Sequence, residues 1–158
     1  MQRDLALAYA IVAGREGGAT HRPRALEMLE KARAASPDDV EVLLYLAEIH
    51  RNAGRGTEAI PLYERAMRLD PSQVAGPVGL GGIRMERGEY VDAIRLWEDA
   101  LSRNTGLQLV RMNLAMAYAR IGNSRQAVSH LERALALNPG FPGAADLLAR
   151  LKQSAGIN

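Results

Sequence analysis

A 34-residue period runs through most of this chain and constrains its fold more than any other feature. Shifted by that interval, Gly54, Gly88 and Gly122 align, as do Ala59, Ala93 and Ala127, and Ala66, Ala100 and Ala134. Pro37, Pro71 and Pro139 share one register, with Thr105 in the fourth slot. The residues around the second alanine agree too: Glu58, Ala59, Ile60, then Asp92, Ala93, Ile94, then Gln126, Ala127, Val128. A fixed period of roughly 20–50 residues marks an array in which each unit buries its apolar face only against its neighbours.

Each unit reads as two helices. In residues 40–73 the first apolar stripe is Val42, Leu43, Leu46, Ala47 and Ile49, at helical spacing. Gly54 ends it, because the residue after a helix often adopts the left-handed conformation that glycine takes most cheaply. A second stripe follows in Ala59, Leu62, Tyr63, Ala66 and Leu69, and Pro71 stops it. So short a turn makes the pair antiparallel. Ala47, Ala59 and Ala66 then let the two backbones approach to about 8–10 Å. Composition agrees: Ala (26) and Leu (21) fill 47 positions against seven aromatics, a mix that favours close-packed helices over sheet.

This pattern resembles the tetratricopeptide repeat, a helix–turn–helix unit with small residues at unit positions 8, 20 and 27, an aromatic near 24 and proline at 32. Here those are Ala47, Ala59, Tyr63, Ala66 and Pro71; then Gly81, Ala93, Trp97 and Ala100; then Ala115, Ala127, Ala134 and Pro139. The resemblance implies an all-α, right-handed solenoid of antiparallel helix pairs. Full repeats would span 40–73, 74–107 and 108–141, with 1–39 an irregular partial repeat and 142–153 a capping helix, all in one domain, 1–158. Pro77 and Arg111 stand where the family favours a bulky aromatic, and His50 and Arg84 replace the usual tyrosine that Tyr118 keeps. Looser, wetter packing is expected there.

The two ends depart from the period. Residues 142–153 carry Leu147, Leu148 and Leu151 opposite Asp146, Arg150 and Gln153, as suits a last helix with one solvated face. At the front, residues 5–10 closely match 114–119. That alignment leaves about seven extra residues within 14–23, so a widened turn in the first repeat and a start partway into its first helix are expected. Residues 5–13 hold no charge, so Leu5, Leu7, Ile11 and Val12 make this helix apolar around its circumference. Such a helix at an open end needs a cover: earlier repeats of a longer protein, or a second copy in a dimer or a head-to-tail filament.

Chemistry is sparse. The three histidines, His21, His50 and His130, fall on separate elements, and no nucleophile–base motif accompanies them, so no enzyme activity is expected. Absence of cysteine excludes thiolate zinc sites, and no His or carboxylate pairs have metal-ligand spacing, so neither metal nor cofactor is expected. No apolar run approaches the ~18 residues of a membrane span. The glycine-rich stretch 76–82 lacks the strand-to-helix context of a phosphate loop and lies inside the helix register, which favours close packing over ligand approach. Arginine outnumbers lysine eighteen to two, but net charge is only +2 and the arginines interleave with acids (Arg65, Arg68, Arg95, Arg125 and Arg133 with Glu64, Glu98, Asp99 and Glu132). Nucleic acid is therefore not the expected partner, and the arginine bias suits GC-rich bacterial coding.

In proteins resembling this one, positions 2, 5, 9 and 12 of each first helix line the inner surface. Carried over, these are Glu41, Leu44, Glu48 and Arg51; Ala75, Val78, Gly82 and Met85; Leu109, Met112, Met116 and Ala119. Some members clamp a peptide carboxylate with Lys and Asn; only Asn113 matches here, which disfavours that clamp. What remains is an apolar, methionine-bearing groove suited to an apolar helix or an extended chain of a partner protein. The expected function is a non-enzymatic interaction scaffold; the alternatives are a self-assembling structural subunit and the repeat region of a longer protein. Compartment is not legible: cytoplasmic is the default, with export or a periplasmic location open.

Overall fold

The computed structural model describes residues 2–14 and 18–156, without the side chains at 18 and 19. The chain divides into two compact units, Met1–Gly79 and Leu80–Asn158. The first holds α1 (Gln2–Ala13), a 3-10 turn (Gly18–His21), α2 (Arg22–Ala35), α3 (Val40–Asn52) and α4 (Gly56–Leu69). The second holds α6 (Tyr90–Arg103), α7 (Gln108–Arg120), α8 (Ser124–Leu137) and α9 (Ala144–Ala155). Between them in sequence, α5 (Ala75–Glu86) begins in the first unit and ends in the second. The described residues contain helices and no strand. Residues 15–17, in the middle of the expected widened turn, lie outside the described residues.

The repeating glycines do the same work three times. Gly54, Gly88 and Gly122 have φ of 72°, 76° and 77°, in the left-handed region. Their N–H groups donate to the carbonyls of Arg51, Met85 and Ala119 at 2.9–3.1 Å, closing each first helix before its partner begins. Capping is supplied where the side chain allows it: Asp39 accepts from the Val42 N–H at 3.1 Å, and Asn123 from the Gln126 N–H at 3.3 Å.

Within the first unit α1 packs on α2 and α3, α2 on α3, and α3 on α4; within the second, α6 packs on α7, α7 on α8, and α8 on α9. The small residues at the repeat positions (Ala47, Ala59 and Ala66; Ala93 and Ala100; Ala115, Ala127 and Ala134) are fully buried. Tyr63 and Trp97, also buried, fill the wider space beside them.

Two expectations are corrected. Pro77 and Arg111 do not leave loose sites: Pro77 is fully buried, and Arg111 is 8% exposed, its guanidinium donating to the Thr105 carbonyl at 2.9 Å. A long aliphatic stem can occupy an aromatic's place while its head finds a backbone acceptor. The last helix starts two residues later than 142, because Pro142 and Gly143 form a turn, with Gly143 at φ 74°, before Ala144.

Candidate functional site

The residues carried over to the first unit's inner surface, Glu41, Leu44, Glu48 and Arg51, all lie on α3 and are mostly charged. Leu44, Glu48 and Arg51 are half-buried along α3. Leu44 and Glu48 line a depression of about 360 Å³ with Glu41, Tyr45 and Tyr63. Glu48 is its centre: it accepts from the Tyr63 hydroxyl at 2.7 Å, from Arg51 Nε at 3.1 Å and from Asn52 at 3.1 Å. Burial opposes its ionisation, but these donors, led by Arg51, outweigh burial and hold the carboxyl below its usual range. The same burial, with the Glu48 charge beside it, pushes the Tyr63 hydroxyl well up, so it stays a donor. Tyr45 and the Tyr63 hydroxyl were missed by sequence because only the folded pair brings α4's aromatic against α3's acid.

In the second unit the methionines carried over as groove residues meet at one depression. Met85 of α5, Met112 and Met116 of α7, and Leu147 of α9 line a depression of about 380 Å³ with Arg120 and Arg150. Met116 is 37% exposed. Met112 is half-buried and also packs on the cluster of Ala115, Ala127, Leu131 and Ala144, so its side chain serves core and surface together. Asn113 and Gly82 are half-buried, as is Val78 in the first unit. The glycine-rich stretch is explained by packing. A Cβ on Gly79 would fall 2.6 Å from Cε1 of Tyr63, and one on Gly81 2.7 Å from Cδ1 of Trp97, both buried rings.

On α1 the four apolar residues grouped by sequence separate onto different faces. Ala6, Ala10 and Ala13 are buried. Leu5 (50% exposed) and Val12 (41%) share a shallow depression of about 270 Å³ with Ala8, Tyr9 and His21. Ile11, also exposed, instead lines a depression of about 290 Å³ with Tyr45, Glu48 and Arg22, while Leu7 is half-buried. At 100° per residue positions 5, 8, 9 and 12 fall together and positions 7 and 11 do not.

Two histidines are shielded. His130 of α8 stacks on Tyr118, with ring centroids 5.5 Å apart, and its Nδ1 is buried without a partner, as is that of His50. Burial, and then the neighbouring Arg111 charge, push the His130 pKa down against the pull of Glu98; burial and Arg55 do the same to His50. Tyr118, whose hydroxyl donates to Glu98, is pushed up to about 12 by burial and that bond. For a histidine lowered in the fold, stability is fully present above the unfolded value of 6.5 and is lost as pH falls through the folded value. Melting temperature is therefore expected to drop from pH 7 to pH 5, above the carboxylate range, and His130→Phe to flatten that drop. A His130→Phe profile parallel to wild type would refute the assignment.

Among the described residues no group of three or more His, Asp or Glu is placed to hold a metal ion, and no helix is long and apolar enough to cross a membrane.

Tandem antiparallel helix pairs with depressions along their first helices define an all-α helical-repeat protein. The chain belongs to the tetratricopeptide-repeat family: models described as Tetratricopeptide repeat match residues 15–74 and 84–151. No curated protein matches its sequence. Among solved structures it is similar to a crystal structure of MamA (TM-score 0.80, 23% identity, 88% of this chain and 81% of that one). It is also similar to MamA AMB-1 (0.79, 25%, 99% and 88%). A third likeness is the first TPR of Spaghetti (RPAP3) bound to the HSP90 peptide SRMEEVD (0.71, 20%, 74% and 93%).

Proposed function

We propose that this protein is a non-enzymatic interaction scaffold that docks a peptide segment of a partner protein on the inner-facing side of its first helices. The observation that carries this reading is the depression formed by Met85, Met112, Met116 and Leu147, where flexible, polarisable side chains from three helices meet at an exposed surface. A peptide-bound tetratricopeptide-repeat neighbour of the same fold supports the choice of partner class. Panning the chain against a random dodecapeptide library should enrich ligands, and Met116→Glu should abolish their binding with the circular dichroism spectrum unchanged. Met116 is the better probe than Met112, whose core contacts would confuse binding with folding. Ligands indifferent to Met116→Glu would overturn the reading.

A second reading, self-association, is favoured by one observation: the exposed stripe of Leu5 and Val12 on α1. These two side chains would be covered by another copy. Leu5→Lys with Val12→Lys should then give a smaller, still helical species by sedimentation velocity. A wild-type chain that sediments as a monomer at high concentration would exclude it.

A further inference from the structure

The second unit's depression has a charge pattern that its apolar floor does not need. Arg120 is the last residue of α7 and Arg150 lies on α9; both are exposed, and both line the cavity whose floor is Met85, Met112, Met116 and Leu147. Some other cations of the same unit are engaged: Arg103 with Asp99 at 2.7 Å, Arg84 with Glu89, Lys152 with Glu132 at 2.9 Å. Arg120 and Arg150 meet no acceptor among the described residues, and no described carboxylate lines the depression. Two guanidiniums of like charge thus flank one apolar floor, with no carboxylate among the described residues to neutralise them. Each offers a planar fork of donors matched to a carboxylate, and each is less strongly hydrated than an ammonium, so meeting an anion costs it little.

We propose that this depression takes an acidic segment of a partner protein, with an apolar side chain entering among the methionines and adjacent carboxylates meeting Arg120 and Arg150. The inference rests on the inner-face reading above and adds the partner's chemistry. Charge complementarity selects the occupant: a basic segment would meet two uncompensated cations, and a neutral one would leave them unpaired. A nucleic acid would satisfy the arginines, but the floor carries methionines and a leucine and no aromatic ring on which a base could stack. The first unit's depression, with Glu41 and Glu48 in its lining, has the opposite character.

The test uses the full chain and fluorescein-labelled dodecapeptides enriched from the random library. The expected ligands carry Asp or Glu beside Leu, Ile, Met or Phe. Their affinity should fall about tenfold or more in the double variant Arg120→Glu/Arg150→Glu and should weaken with added salt. Exposure of both side chains should leave its melting temperature unchanged. Ligands resynthesised with Lys for Glu should bind that variant better than wild type, a reversal that a folding defect would not produce. Neutral or basic ligands that ignore the arginine reversal but are lost in Met116→Glu would overturn this inference and leave the inner-face reading standing. Ligands indifferent to Met116→Glu would remove both. Arginine-dependent binding of an oligouridylate with no acidic peptide enriched would also overturn it, in favour of a nucleic-acid partner.

Discussion

Replacement of Trp97 by Ala is expected to destabilise the protein by about 3–5 kcal/mol. Trp97 is 1% exposed on α6, where Ala93 and Ala100, one turn or so to either side, leave room that only a large ring fills. Truncation removes the transfer free energy of the indole and leaves a cavity walled by helices whose backbones are held by their own hydrogen bonds. Such walls collapse poorly, so the cost should lie near the top of the range. Urea denaturation followed by circular dichroism at 222 nm measures it. A midpoint within error of wild type would mean that the ring is not packed as described. Trp97 is also the only tryptophan in the chain, so its emission in the native protein should be blue-shifted and should move red in the same transition as the loss of helix.

Gly81→Ala is expected to be destabilising even though alanine is the better helix former. In an exposed helix interior that change gains about 1 kcal/mol. Here the new Cβ would lie 2.7 Å from Cδ1 and 2.8 Å from Cε2 of Trp97, closer than real carbons approach. Trp97 cannot swing clear because it is buried, so the helix or the ring must shift, at about 1–3 kcal/mol. Gly76→Ala is the control. Its Cβ would meet Met67 Cγ at 2.5 Å, so Met67 must shift as well, but an unbranched, half-buried chain gives way at less cost than a buried indole. The expected order of stability is therefore Gly76→Ala above Gly81→Ala. The reverse order would show that helix propensity, not the tryptophan contact, governs this helix.

Much of the architecture was legible from the period. Where Gly54, Gly88 and Gly122 recur, a left-handed residue closes a helix, because that turn has to be made once per unit. Where alanines recur at positions 8, 20 and 27, they are fully buried, because two helix axes cross there. Gly81 in the second unit's small slot is the same rule carried one step further, since Trp97 leaves no room even for a methyl group.

Sequence by itself therefore determined the helices, their pairing and the positions that must be small. These depend on local conformation and on spacing within one period, and both are written along the chain. Tertiary structure alone decided what each exposed sector of a helix faces. It left Leu5 and Val12 exposed in one depression, set Ile11 in another and half-buried Leu7, although all four looked equally apolar. It gave Glu48, which lines the first unit's depression, a role as acceptor for Tyr63, a residue fifteen positions away. It shared Met112 between core and surface and set Arg120 and Arg150 beside the methionines. Helical periodicity specifies the angle of a side chain about its own axis. Which angles are covered, and by which residues, depends on where the neighbouring helices lie, and that is a property of the packed assembly.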